Sequence, residues 1–304
     1  MMRSLYSGVS GLKNHQTRMD VIGNNISNVN TAAFKTSRVI FQDIYSQTSR
    51  NASSATTTVG GTNPIQIGLG VTLATIDVLH TSAATQRTDN PTDLAIEGDG
   101  FFIIKGSAPE NLYTRAGNLY IDAAGNLVTA DGSYIQGLMG SGNFTTVITD
   151  PVTGNKTAWL PPDPADYAAG GVDGMVNTAN MGNINLNGWK SVAIDDKGVI
   201  TGLDAAGNKQ TIGIIPIATF LNPSGLEKKG SSQYAASSNS GAAQVSTAQT
   251  NGAGKINVGG LEMSNVDLAA EFTDMIVTQR GFQANSRIIT TSDSLLEELI
   301  NLKR

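Results

Sequence analysis

From Leu5 onward, apolar residues fall at Leu5, Val9, Leu12, Met19, Ile22, Ile26 and Val29, at steps of three, four and seven that mark one helical face. The C-terminal end repeats the pattern more strongly. Leu268, Phe272, Met275, Phe282, Ile289, Leu296 and Ile300 lie on a heptad series, with Gln279, Ser286 and Asp293 as polar interruptions. Ser264-Asn-Val-Asp267 has capping-box spacing, which predicts a helix from near Asn265 to Leu302, roughly 55 Å long at ~1.5 Å per residue. Between the two helices the period changes to that of strands. Strand signals start at Ile65 and recur through Asp93–Ile104, Asn111–Ile121, Ala193–Ile200 and Ile212–Phe220. Asp122-Ala-Ala-Gly-Asn126 has the chemistry of a hairpin turn, and Asp204-Ala-Ala-Gly-Asn208 repeats its composition. Residues 46–63 hold almost nothing to bury and read as a connector, and Ser231 to Gly254 is a second polar stretch.

The expected fold class is therefore mainly β with terminal α-helices, in nested, discontinuous domains. Residues 1–35 and 261–304 form paired terminal helices, a coiled coil, and residues 36–69 an extended connector. Residues 70–137 and 188–260 form a discontinuous β domain, with 138–187 as a small inserted β module. The first helix is not self-sufficient. Gly8, Gly11 and Gly23 each cost about 0.8–1 kcal/mol against Ala in a helix interior. Burial of the apolar face, worth roughly 1.5–3 kcal/mol per large side chain, has to offset that, so a partner helix is required. Charge points to the other end of the chain. Residues 1–35 carry Arg3, Lys13, Arg18 and Lys35 against Asp20, whereas 261–304 carry seven acids against four bases.

Composition removes several classes of function. The 304-residue chain has no cysteine, which excludes disulfide scaffolds, thiolate metal sites and cysteine nucleophiles. A net charge of -5 without a basic stripe makes nucleic acid an unsuitable partner. No run of ~18 apolar residues is present for membrane insertion, and the N-terminus lacks the apolar core of a cleaved signal peptide. The two histidines, His15 and His80, have no identifiable partners for a triad or metal site. Gly68-Leu-Gly70 and Gly98-Asp-Gly100 open no helix and do not suit phosphate binding. Asp93, Glu97 and Asp99 read as solvated acids near strand ends, and Asp195, Asp196 and Asp204 lack calcium-loop spacing. No nucleophile, base and orienting group can be nominated together, so no enzyme, cofactor or metal is expected.

Several ordered motifs carry a resemblance. Ser10-Gly-Leu-Lys, Met19-Asp-Val-Ile-Gly-Asn-Asn-Ile-Ser-Asn-Val-Asn-Thr31 and Phe34-Lys35 resemble the N-terminal signature of bacterial flagellar rod and hook proteins. Glu262–Leu268, Glu271–Ile276 and Gln279–Arg287 are similar to its C-terminal counterpart, and Leu94–Phe102 and Tyr113–Asn118 to its shared β domain. The family-motif positions are Asn24, Asn25, Asn28, Thr31, Phe34, Lys35, Asn265, Val266, Asp267, Gln279, Arg280 and Asn285. One departure is Ala33, where the family usually has Gly before the Phe. Within the family, Ala218–Leu226 looks most like a hook subunit, with the distal rod as the alternative. The resemblance implies a structural subunit outside the cell, exported by the type III apparatus and polymerised under a hook cap into a helical tube. It implies contact with the rod and with hook–filament junction proteins. Subunit packing then falls to the apolar faces of the two terminal helices.

Overall fold

The computed structural model describes residues 2–55, 60–106, 110–139, 181–204 and 207–302. Two units are distinct: Met1–Val29 with Lys35–Leu79 and Val266–Arg304, and Asn30–Phe34 with His80–Asn265. The chain is mainly β with one helix near each end.

The first unit holds α1 (Met2–Ser27), β1 (Ser37–Asp43), β2 (Ser46–Arg50), β3 (Ile65–Gly68), β4 (Val71–Val78) and α2 (Leu268–Asn301). Helix α2 starts later than its capping-box reading suggests. Asp267, not Ser264, is the N-cap, its Oδ1 accepting from the Ala269 and Ala270 N–H groups. Residues 264–266 stay outside the helix, where the Asn265 N–H donates to the Phe34 carbonyl and its side chain to Thr81.

The expected connector differs most from its reading. Strand β1 pairs antiparallel with β4, and β2 with β3, so residues 37–50 and 65–78 form ribbons beside the helices. Thus β4 groups with the helices and not with the β domain. Sequence polarity conceals this because a ladder needs backbone groups, not apolar side chains. Every residue of β2 and β3 is exposed, and polar pairs such as Ser53–Thr62 and Gln66–Thr48 bridge the two arms.

The second unit is built on a sheet whose central path is antiparallel. Its strands are β5 (Thr85–Arg87), β6 (Leu94–Glu97), β7 (Phe101–Lys105), β8 (Asn111–Thr114), β9 (Leu119–Ile121), β10 (Leu127–Thr129), β11 (Tyr134–Met139) and β12 (Gly182–Asn183). They continue as β13 (Lys190–Ile194), β14 (Val199–Leu203), β15 (Lys209–Ile214), β16 (Ile217–Thr219), β17 (Glu227–Gly230), β18 (Gln233–Ala235), β19 (Gln244–Ser246), β20 (Lys255–Val258) and β21 (Gly260–Glu262). The main path runs β13-β14-β15-β11-β7-β8-β18-β17, and β16 joins β7 to β19. Strand β7 is buried on both faces. Phe102 and Ile104 enter one core with Leu94, Ile96 and Ile217, while Phe101 and Ile103 enter another with Phe220 and Tyr234. Period-two alternation sends neighbouring side chains to opposite faces, so one strand serves two cores.

The hairpin expected at Asp122–Asn126 joins β9 to β10. Asp122 Oδ1 accepts from the Ala124 and Asn126 N–H groups, and bonds led by the Asn126 side chain hold its carboxyl below the usual range. Of the module expected over 138–187, residues 140–180 lie outside the described residues. Its flanks are core: Leu138, Ile184 and Leu186 are buried among the sheet's apolar residues. The polar stretch 231–254 also carries strands, β18 and β19, with Ser240 and Ser246 buried.

Candidate functional site

The terminal helices carry the features that set this chain apart. They run antiparallel, with Gly8 against Ile289, Gly11 against Asn285, His15 against Gly281, and Arg18 salt-bridged to Asp274 at 2.9 Å. Close approach explains Gly11, whereas a Cβ on Gly8 would make ordinary contact. A Cβ on Gly11 would lie 2.7 Å from Asn285 Nδ2, and one on Gly8 3.5 Å from Ile289. Gly23 faces open space, so its helix cost has no such offset.

The seam on α2 keeps half of the expected heptad. Met275, Phe282, Ile289 and Leu296 are half-buried at seven-residue intervals. Their companions are not Gln279, Ser286 and Asp293 but Glu271, Thr278, Asn285 and Ser292, which complete an alternation of four and three. Thr278 and Ser292 are the buried residues of α2. Leu268, Phe272 and Ile300, expected on the seam, are exposed. The hydrophobic count misled here because it does not register which side chains the close approach admits: Gly11 of α1 admits the polar Asn285, while Gly8 faces Ile289.

On α1, Ile22 is buried; Leu5, Leu12, Met19 and Ile26 are half-buried; Val9 is exposed, and Val29, expected on the same face, is half-buried in the turn beyond the helix end at Ser27. Among the described residues, Ile22 is the one apolar side chain of this unit that is fully buried. Large apolar residues of α2 remain open to solvent, including Ile276 at 59% and Leu295 at 50% exposure.

Polar side chains fasten α1 to its strands. Asn25 is buried, and its amide pairs with both backbone groups of Ser37, donating to the carbonyl at 2.9 Å and accepting from the N–H at 3.0 Å. Its Nδ2 also reaches Glu271 Oε1, which Thr36 approaches through its hydroxyl. At the far end of the β1–β4 ribbon, Asn14 donates to the Val71 carbonyl at 2.7 Å, and Ser10 Oγ accepts the Val71 N–H. One helix is thus fixed at both ends of one ribbon. Of the other motif positions, Lys35 is fully buried, Phe34 lies under the Lys228 ammonium at 5.0 Å, and Asp267 caps α2. Asn24 and Thr31 are exposed, Asn28 donates to the Asn24 carbonyl, and Val266 is half-buried. Arg280 is exposed and donates to Gln283, while Gln279 lines a groove of about 460 Å³ with Gln16, Met19, Asp20, Phe282 and Gln283.

The second unit holds an ion pair that the sequence reading assigned no role. Arg115 Nε donates to Glu262 Oε2 at 2.8 Å, with the two side chains 1% and 0% exposed. Arg115 Nη2 donates to the Ile96 and Gly98 carbonyls, and Glu262 Oε1 accepts from Ala83 N–H. Both residues fall in the family-like motifs, the only sequence signal available. Arg115 also lines a cavity of about 360 Å³ with His80, Asp99 and Phe101. Its guanidinium is committed to Glu262 and two carbonyls, so it closes the wall structurally. Nearby, His80, Phe101 and Tyr234 meet edge to face, and burial pushes the Tyr234 hydroxyl up to about 12. Among the described residues, no three His, Asp or Glu side chains cluster as metal ligands.

Three family profiles match the chain. "Flagella basal body rod protein" covers residues 5–35, "Flagellar hook protein FlgE/F/G D1 domain" residues 95–202, and "Flagellar basal body rod FlgEFG protein C-terminal" residues 258–302. The chain is 47% identical to the flagellar basal-body rod protein FlgG of Bacillus subtilis, over 305 aligned positions and all of both chains. It is 36% identical to the flagellar hook protein FlgE of Borreliella burgdorferi, again over all of both chains, across 443 aligned positions. Identity to the rod protein FlgG of the same Borreliella burgdorferi is 32%, over 307 positions and all of both chains.

Proposed function

The chain belongs to the flagellar rod and hook axial protein family, and within it we propose that it is the hook subunit, a helical polymer that passes motor torque to the filament. The family is structural and not enzymatic, is located in the flagellum, and its members polymerise. The observation that carries the hook reading is the comparison inside one organism. Borreliella burgdorferi supplies both a hook and a rod protein, and the chain is 36% identical to the first against 32% to the second. Using one organism holds lineage divergence constant, so the difference favours descent from the hook branch. The distal rod is the second reading. It is favoured by the 47% identity to a rod protein over 305 positions, almost free of gaps against this chain of 304 residues.

A tube needs contacts that join one face of a subunit to a different face of the next and never close into a ring. The terminal helices supply unlike faces. As a coiled-coil pair they line the inner wall, and their exposed apolar residues find cover only on assembly. Each such side chain contributes about 1.5–3 kcal/mol when buried. Subunits reach the tip through the type III export apparatus, add beneath the hook cap, and contact rod below and junction proteins above. The β unit, polar at its surface, slides against neighbours as the joint bends.

Electron microscopy of basal bodies from a strain lacking the protein tests the assignment. Complete rods that end without a hook are expected. Rods cut short would move the chain to the distal rod and remove the bending mechanism.

A further inference from the structure

The sequence holds two Asn-Gly pairs, Asn187-Gly188 and Asn251-Gly252, and the fold gives them different backbones. Asparagine is a thermolabile residue, and before glycine no side chain hinders the next amide nitrogen from reaching the Asn amide carbon. Both pairs lie exposed in tight turns. Around Asn251, the Ala253 N–H donates to the Thr250 carbonyl at 2.8 Å, with Asn251 at φ 48 and Gly252 at φ 77. Two left-handed central residues make this a type I′ turn. A left-handed residue brings its Cβ against its own carbonyl oxygen, so the next nitrogen lies on the far side from the Asn251 side chain. Asn187 sits differently. The Trp189 N–H reaches the Leu186 carbonyl at 3.3 Å, Gly188 has φ 87, and Asn187 stays out of the left-handed region, which makes a type II turn. Type I and type II turns differ by rotation of the central peptide plane, and glycine at the third position permits both. Little opposes that rotation. A Cβ on Gly188 would meet no atom within 4 Å, and among the described residues the Gly188 N–H and the Asn187 side chain make no hydrogen bond.

We propose that Asn187 is a site of spontaneous deamidation and that its conversion loosens the core of the sheet unit. The site is independent of the choice between hook and rod. The Gly188 amide nitrogen, losing its proton to hydroxide, attacks Asn187 Cγ. The bond from Cγ to the side-chain nitrogen breaks, that nitrogen leaves as ammonia with a proton from water, and a succinimide ring closes. Water then opens the ring at either carbonyl. The product is aspartate or, where the chain continues through the side-chain carboxyl, isoaspartate. One water is taken up and one ammonia released, with no change of oxidation state. Isoaspartate puts an extra carbon into the backbone, and the residues on either side have no slack for it. Leu186 is 7% exposed and its N–H donates to the Gly125 carbonyl at 2.7 Å, while Trp189 packs against the same apolar core. The turn also rests on the β9–β10 hairpin, where a Cβ on Gly125 would stand 2.7 Å from the Asn187 nitrogen.

Ageing the full-length chain in mildly alkaline buffer, folded and in urea, tests this. Peptide mass spectrometry follows Asn187 and Asn251 side by side, and isoaspartyl methyltransferase labelling counts isoaspartate. In the folded chain Asn187 is expected to convert at least about tenfold faster than Asn251, with a rate that rises with pH. In urea both turns are gone and the two rates should converge. Equal rates in the folded chain, or a faster Asn251, would overturn the assignment. So would an Asn187 that converts in urea and stays intact when folded. The structural consequence has its own readout. A Trp159→Phe background leaves Trp189 as the single tryptophan. Its fluorescence should shift to the red as isoaspartate accumulates, and adding Asn187→Gln, whose longer side chain cyclises far more slowly, should hold it in place. Conversion without any shift would sink the link between this turn and the core.

Discussion

At the scale of single residues, the chain is decided by a few buried polar groups. Arg115 and Glu262 are both buried, and they engage each other and the backbone of Ala83, Ile96 and Gly98. Such a pair is a poor source of net stability, because desolvation consumes most of the attraction. Breaking it is another matter, since a lone buried charge remains. Glu262→Ala is expected to cost about 3–5 kcal/mol in urea unfolding of the monomer, far more than loss of an exposed pair such as Arg38–Asp77. A loss below about 1 kcal/mol would mean that water reaches Arg115. Ala33 illustrates a different economy. It sits at φ 58, 1% exposed, its N–H bonded to the Glu262 carbonyl, so the turn keeps the left-handed backbone for which the family uses Gly. The strain of about 1–2 kcal/mol is balanced by a buried methyl group and by the smaller freedom of Ala when unfolded. The sequence announced the departure at Ala33 but not its geometry. It placed Arg115 and Glu262 in motifs without showing that residues so far apart in the chain would meet.

At the scale of elements, periodicity located both helices and most strands, and its errors have one source. It counts apolar residues and cannot see how closely two backbones approach. On α2 it found Met275, Phe282, Ile289 and Leu296, then chose Gln279, Ser286 and Asp293 over the Thr278, Asn285 and Ser292 that face α1. The ribbon over 37–50 and 65–78 was missed for the related reason that its arms carry few buried side chains. The close seam also places a titrating group. His15 lies against Gly281, where a Cβ would stand 2.7 Å from the imidazole, and meets Phe41 edge-on. Burial, then the neighbouring Arg18 charge, lowers its pKa below 6.5. The neutral ring is the one the folded helix pair accepts, so the unfolded chain binds the proton more readily. Stability from this group is complete above 6.5 and is lost as pH falls through the ordinary histidine value toward the lowered one. Helix content of the assembled or monomeric chain should therefore weaken between pH 7 and 5, and His15→Phe should flatten that part of the profile. An unchanged slope in the variant would assign the acid sensitivity to carboxylates instead.

At the scale of the whole molecule, the two units draw on unequal cores. The sheet unit buries Phe102, Ile104, Leu119, Ile135 and their neighbours almost completely, whereas the helix unit, among the described residues, fully buries Ile22 alone of its apolar side chains. Helices are marginal in water without tertiary packing, and α1 further carries three glycines. The physical expectation is a chain that does not unfold in one step. Trp189 packs against the sheet core and reports on that unit, while far-UV ellipticity reports chiefly on α1 and α2. With Trp159 replaced by Phe to isolate the signal, urea titration of the monomer should lose helix at a lower midpoint than Trp189 fluorescence. Polymerisation should then move the helix midpoint upward and leave the fluorescence midpoint nearly fixed, because mass action stabilises the surfaces that assembly covers. Coincident transitions in the monomer would show that the helix pair is stable alone. In that case the open faces of α2 would be ordinary surface, and assembly would have to draw its driving force from the β unit.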